Sequence, residues 1–380
     1  MYFKISKREF LNSLTTVSRA VSTLSPVPLL LGIKIDVTED AVCLTGSDAD
    51  ISIKKTIRTN SDDYVLQIKE TGSVVIKADI ILNIVRKMDA EEIEVEMLDG
   101  TRTKFSGHSV EQTVSGMNVA EYPRIDFSAP ETSFEIEPTT LMKIITQTCF
   151  ATSDKETRPV LTGVNFKANG NELMCVATDS YRLARKKIEL NDAMDFNVTI
   201  PAKSLREIGK SSNEITKVLD NNENIRISLN DKKAQFVIGD TLIQTRLIDG
   251  SFPETERLIP TEFKNVLTVD ARDILNAIDR VSFIRTDGVS IVKLSASENE
   301  VVISSRSQEI GSSTENIDVF TFNGDPLTIS FSGRYVFDAV QVLGSSSVKF
   351  SFSGEMRPFI IQSTDDDSVL QLVLPLRTYS

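Results

Sequence analysis

Five carboxylates in two clusters are the residues of this 380-residue chain whose spacing invites chemistry. Asp48 and Asp50 flank one residue in Ser47-Asp48-Ala49-Asp50, and Asp365, Asp366 and Asp367 run without a break. Closely spaced carboxylates can hold magnesium, which activates water against a phosphodiester. A metal-dependent nuclease using Asp48, Asp50 and Asp179 is therefore one function class to weigh. The 365–367 run reads more simply as a solvated loop, which leaves no obvious second cluster for a two-metal centre. The single histidine, His108, lies in the turn-like Ser106-Gly107-His108-Ser109 and cannot make a two-histidine metal site. A Ser-His-Asp triad would have to be assembled around that one residue. Cys43, Cys149 and Cys175 are scattered, with no Cys-x-x-Cys pair, and read as buried side chains. Neither a Gly-x-x-x-x-Gly-Lys-Ser/Thr loop nor a Gly-x-Gly-x-x-Gly turn is present, and no helix-turn-helix, zinc-finger or RNA-binding aromatic pattern appears. No catalytic residue, metal ligand or cofactor is assigned.

The whole chain offers a simpler account of Asp48 and Asp179. Residues 28–57 align with 159–188 without a gap, always 131 apart. Pro28, Leu30, Gly32, Ile33 and Ile35 pair with Pro159, Leu161, Gly163, Val164 and Phe166. Asp48 then falls on Asp179, Lys54-Lys55 on Arg185-Lys186 and Ile57 on Ile188. A constant offset over thirty residues indicates a duplicated domain, and a shared structural turn explains the paired aspartates. A fainter third copy is shifted by 128: Val289 to Leu294 follows Leu161 to Phe166, and Asn299 to Ile303 follows Asn171 to Cys175. Tyr122-Pro123, Phe252-Pro253 and Leu374-Pro375 close the copies. Three units are expected, at 1–125, 126–255 and 256–380, each of ordinary domain size.

Periodicity places two helices in each unit. In the first, Phe10, Leu11, Leu14, Val17 and Val21 predict a helix over 7–24 with Ser6 as its N-cap, and a second is expected over 78–88. Between and after them, strands are expected at 32–37, 42–45, 51–57, 73–77, 93–98 and 102–106, the last two flanking the turn signal Asp99-Gly100. Unit two has helices at 139–151 and 202–212, opened by Pro138 and Pro201, with strands near Val164, Leu173 and Val198. Unit three has helices near 271–285 and 333–343. Strands this consecutive and helices this few predict an α+β fold with antiparallel sheets.

Apolar residues make up 40% of the chain, enough for real cores, and no apolar run approaches the ~20 residues of a membrane span. The longest run, Val27 to Ile33, contains Pro28, and Met1 to Ile5 alternates like a strand rather than a signal peptide. A soluble, cytoplasmic protein is expected, without membrane contact. The net charge of −12 argues by itself against nucleic acid. Its distribution argues otherwise: the six expected helices sum to +7, leaving −19 elsewhere. Two readings stand, an ordinary solvated face and a cationic face for a polyanion backbone. A β-rich adhesion or scaffold protein would give no reason for cationic helices.

The chain resembles, over its whole length, the bacterial sliding-clamp family, the beta subunits of DNA polymerase III. The resemblance is carried by Arg158-Pro159-Val160-Leu161-Thr162-Gly163-Val164, Ala177-Thr178-Asp179-Ser180-Tyr181-Arg182-Leu183, Leu247-Ile248-Asp249-Gly250-Ser251-Phe252-Pro253, Met356-Arg357-Pro358-Phe359 and Leu374-Pro375-Leu376-Arg377. It implies three repeated DNA-clamp domains and a head-to-tail homodimer closing a six-domain ring, helices lining the hole and sheets the rim. It further implies a non-catalytic processivity factor that encircles double-stranded DNA, slides without sequence preference and tethers the replicative polymerase and other clamp-binding-motif proteins. A separate ATP-dependent clamp loader would open the ring. By match to the family pattern, DNA would meet Arg19, Lys155, Arg158, Lys203, Arg206 and Lys210. A partner-peptide cleft between units two and three would comprise Leu161, Thr178, Tyr181, Arg182, Leu183, Pro253, Arg257, Leu258, Met356, Pro358, Leu374, Pro375, Leu376 and Arg377. Its arginines would hold peptide carbonyls or carboxylates, and Leu183→Asp with Leu376→Asp would abolish polymerase binding while sparing the dimer. The dimer seam would use Val114, Phe283 and Ile284. The chain departs from many relatives at Leu24 and Asp79, where arginine is common, at Pro159-Val160, and at Gln112 in place of Phe.

Overall fold

A computed structural model describes residues 1–219, 223–285, 288–298 and 300–377. Asn299 of the third repeat and the last three residues of the third unit lie outside the described residues. Six α-helices are described: α1 (Lys7–Ser18), α2 (Ala78–Lys87), α3 (Pro138–Thr148), α4 (Ala202–Leu219), α5 (Ala271–Val281) and α6 (Gly333–Gln341). The strands form sheets of five, eight, seven and four. No helix among the described residues is long and apolar enough to cross a membrane.

The chain gathers into two compact units that cut across the expected repeat boundaries. One holds residues 1–141 with 203–247, and the other 142–202 with 248–380. The cause is strand pairing across repeat boundaries. Thr241–Arg246 of the second repeat pairs antiparallel with Ile51–Arg58 of the first, Ile243 opposite Ile53. Arg182–Pro201 of the second repeat pairs antiparallel with Val369–Val373 of the third, Leu183 opposite Leu372. Backbone ladders thus continue from one repeat into the next, and the second repeat is shared between its neighbours.

The duplication is visible in atomic detail. A β-carbon on Gly32 would lie 2.7 Å from Val75 Cγ1, and one on Gly163 would lie 2.7 Å from Ile200 O. Both glycines open strands that approach a neighbouring strand too closely for any side chain, which is why the repeat keeps glycine at both.

Each helix covers a sheet with one apolar stripe. Phe10, Leu14 and Val17 of α1 are fully buried, as are Ile274, Ala277, Ile278 and Val281 of α5, at spacings of three and four residues. Phe331, Phe350, Phe352 and Phe359 fill the core beneath α5 and α6.

Helix starts match the expected positions within one residue, but several ends differ. α1 stops at Ser18 instead of residue 24, and the chain tightens there into i→i−3 bonds from Arg19, Ala20 and Val21 to Thr16, Val17 and Ser18. α3 ends at Thr148 and passes into a 3₁₀ turn, Cys149–Ala151. α4 runs on to Leu219, past the expected 212, while α5 and α6 stop at Val281 and Gln341. Ser6 precedes α1, yet its Oγ accepts from Val65 N at 2.9 Å and caps nothing. The strands expected near Val164, Leu173 and Val198 prove to be one hairpin, Gly163–Thr178 with Arg182–Pro201. Strands Leu66–Glu70, Val110–Ser115, Thr132–Ile136, Ile225–Leu229, Lys233–Ile238 and Thr241–Arg246 have no counterpart among the expected ones. The three cysteines are free thiols. Burial drives the Cys175 thiol well above its ordinary range.

Candidate nucleic-acid face and peptide cleft

Asp48 and Asp179 build the same turn. Asp48 Oδ1 accepts from the backbone N–H of Asp50 at 3.0 Å and of Ile51 at 2.9 Å. Asp179 Oδ1 accepts from Tyr181 N at 2.9 Å and Arg182 N at 3.0 Å. Each remaining oxygen takes a cation, Lys203 Nζ at 3.1 Å for Asp48 and Arg182 Nε at 3.0 Å for Asp179. These carboxylates are consumed by turns and ion pairs, which removes the basis for a nuclease built on them. In the 365–367 run, Asp366 accepts from Ser368 and from Lys186 Nζ at 3.1 Å. Burial opposes ionisation of Asp366, but hydrogen bonds from Ser368 and Lys186 outweigh it and hold the carboxyl below its usual range.

The basic residues expected to meet DNA fall in two places. On α4, Lys203, Arg206 and Lys210 share the solvent face while Leu205 and Ile208 face the core. The spacing of three and four residues places them on one stripe. Lys203 Nζ reaches Asp48, and Lys210 Nζ lies 2.8 Å from Glu207 Oε1. Arg19, just past α1, is mostly buried, and its Nη1 stands 3.8 Å from Glu207 Oε2. Lys155 and Arg158 are exposed on the loop before the 3₁₀ turn Pro159–Thr162. With the observed bounds, the six helices hold twelve basic and seven acidic residues, net +5, so the rest of the chain carries −17. The excess is smaller than expected because Arg19 and Arg285 fall outside their helices. Leu24 is exposed, as are Asp79 and Ile80 on α2.

A cleft of about 680 Å³ opens beside the turn at Asp179. Of the expected cleft residues, Tyr181, Arg182 and Leu376 line it. Tyr335 and Phe337 of α6 and Val289 also line it, with no local signal in the sequence to mark them, and so does Lys155, which was expected at DNA. Arg182 is a strut here. Its guanidinium bonds Asp179, Asp338 Oδ2 at 2.7 Å and Phe150 O at 2.6 Å, and lies between the rings of Phe150 and Tyr335, 5.2 and 4.6 Å from their centres. Three of its five N–H donors are thus taken by the protein itself. Burial raises the Tyr335 phenol, with Asp179 adding to the effect.

The remaining expected positions divide by burial. Leu183 is only 2% exposed and packs with Val176, Ile360, Leu370 and Leu372, so it is core and not an open wall. Leu161 and Thr178 are buried as well, the Thr178 hydroxyl donating to Arg182 O at 2.6 Å. Pro253, Arg257, Leu258 and Met356 are exposed, and Pro358 is half-buried. The tail is anchored by Leu374 N to Tyr181 O at 3.0 Å and Leu376 N to Ser330 O at 2.7 Å. Leu374, Pro375 and Leu376 are half-buried there, while Arg377 is exposed. At the expected seam, Val114 is half-buried on Val110–Ser115, which is the edge of the five-stranded sheet. Phe283 is 63% exposed, but Ile284 is 2% exposed and belongs to the interior.

Residues 1–126, 135–254 and 256–377 match, in order, the N-terminal, central and C-terminal domains of the DNA polymerase III beta subunit. The chain belongs to the DNA polymerase III beta subunit family. It is similar to the beta sliding clamp of Bacillus subtilis, 39% identical over 385 residues and covering all of both chains. Its fold matches the crystal structure of the DNA polymerase sliding clamp from Bacillus subtilis with a TM-score of 0.95 at 38% identity, again over the full length of both. The beta subunit of Streptococcus pyogenes DNA polymerase matches with 0.93 at 32%, also over both full lengths. Three clamp domains of mixed helix and antiparallel sheet are thus strung on one chain of this family.

Proposed function

We propose that this chain is a processivity factor of DNA replication, a sliding clamp that performs no bond chemistry. Two copies close head to tail around duplex DNA, and domain boundaries near residues 125 and 255 give six domains per ring. The observation that carries the reading is the succession of all three clamp domains in family order on one chain. Charge supports it, because Lys203, Arg206 and Lys210 form a cationic stripe on α4 within an acidic protein. Phosphate contacts carry no sequence information, so such a ring slides.

The edges of two sheets, Val110–Ser115 and Gly311–Asn316, are suited to pair between copies, which would hide both. Val114 and exposed Phe283 would add apolar contact. The cleft beside Tyr181, extended by Pro253, Leu258, Met356 and the 374–377 tail, takes a short peptide of the polymerase or of other clamp-binding proteins. The tether turns polymerase dissociation into rebinding at high effective concentration. A clamp loader driven by ATP opens the ring, and the protein works in the cytoplasm.

The test is retention on DNA. Protein loaded onto nicked circular duplex should stay bound through a salt wash and leave when the circle is cut once. Equal retention on cut and uncut circles sinks the ring.

A further inference from the structure

We propose that Glu207 and Asp48 are built-in counter-ions of the DNA-facing cations, and that they keep the hold on duplex DNA weak enough for sliding. The inference rests on the reading that the solvent face of α4 meets DNA.

The first part of that face carries Lys203, Arg206, Glu207 and Lys210. Glu207 sits between Lys203 and Lys210, and each of its oxygens takes one cation. Oε1 lies 2.8 Å from Lys210 Nζ, and Oε2 lies 3.8 Å from Arg19 Nη1. Asp48 does the same for Lys203 at 3.1 Å. The pairs are asymmetric in depth. The Lys203 and Lys210 side chains are 79% and 57% exposed, whereas Asp48 and Glu207 are 12% and 21% exposed. The ammonium groups therefore project and the carboxylates sit behind them.

A phosphate arriving from solvent meets the ammonium first, and the carboxylate stays in reach to take it back. Each step along DNA then exchanges one anion for another and leaves no cation bare. Exposed pairs of this kind are weak, so the exchange is easy. The carboxylates also lower the local positive potential, and with it the number of condensed counter-ions that binding releases. In this contact Asp48 of the first repeat reaches Lys203 of the second. The matching oxygen of Asp179 is taken by Arg182 within its own turn.

The experiment measures equilibrium binding of the full chain to a short labelled linear duplex, where ring topology adds nothing, between about 50 and 200 mM salt. Glu207→Gln and Asp48→Asn are the informative variants, and asparagine keeps the Oδ1 acceptor that the turn needs. Both should bind roughly three- to ten-fold tighter, with salt slopes steeper by about one for each cation released. Lys203→Ala with Lys210→Ala should weaken binding and flatten the slope. Unchanged binding by both acid-neutralising variants, alongside weakened lysine variants, overturns the counter-ion role and leaves the DNA face standing. Lysine variants that bind like wild type overturn the DNA face itself, and the counter-ion role with it.

Discussion

Ala49 and Ser180 lie 131 positions apart and share a left-handed backbone, φ 81° and 78°. Neither is glycine, and this region costs L-residues energy, so something local must hold it. In each case it is the preceding aspartate, Asp48 or Asp179, whose Oδ1 ties down the two N–H groups that follow the strained residue. Asp48→Ala should therefore cost about 1 kcal/mol, the worth of a turn's hydrogen bonds. Asp179→Ala should cost about 2–3 kcal/mol, because the largely buried Arg182 also loses a charge partner. Urea denaturation of both variants checks the order. Equal losses would mean that Arg182 draws nothing from Asp179.

Leu183 and Leu376 were expected to work together, and they separate. Leu183→Asp places a carboxylate among Val176, Ile360 and Leu372 and should cost more than about 3 kcal/mol. Loss of partner binding in that variant would report misfolding. Leu376→Asp changes a half-buried residue of the cleft and should leave the thermal midpoint within a few degrees. Its affinity for a polymerase-derived peptide should fall at least about ten-fold. Calorimetry for folding and fluorescence anisotropy for binding separate the two effects.

Phe283 and Ile284 are neighbours with opposite fates. Phe283→Asp alters an exposed ring and should yield a folded monomer by sedimentation. Ile284→Asp charges an interior position and should unfold the chain instead. A Phe283→Asp variant that sediments as a dimer places the seam elsewhere.

Burial, with a smaller push from Asp36, raises the Tyr122 phenol to about 12 from an ordinary 10.0. The folded state favours the neutral phenol. Its contribution is whole below pH 10 and is lost as pH climbs from about 10 to 12. Tyr122→Phe should therefore lose less stability than wild type over that window, by about 1–2 kcal/mol for a half-buried ring. Denaturant titrations at pH 9 and pH 11 test this, and parallel losses in the two proteins refute it.

Much of the fold is legible in the sequence because repetition and periodicity are local properties. Gly32 and Gly163 mark strands that tolerate no side chain, and the offset between them is the offset of the repeat. Helix starts follow from the onset of apolar periodicity. Helix ends are less legible: α1 gives way after Ser18 to i→i−3 turns, although Val21 continues the apolar spacing. Strands such as Val110–Ser115 are not legible, because Glu111, Gln112 and Thr113 give an edge strand little apolar signal.

The sequence by itself determined a threefold repeat, an antiparallel α+β architecture, the turns at Asp48 and Asp179 and the cationic stripe of α4, since each depends on residues near one another in the chain or on an offset that can be counted. Tertiary structure alone decided that Leu183 and Ile284 are interior, that Arg182 is engaged by Asp338, 156 residues away, and that Thr241–Arg246 joins the first repeat's sheet while Val369–Val373 joins the second repeat's hairpin. Burial and long-range pairing depend on which surfaces meet after the chain has closed, and no spacing along the sequence encodes that meeting.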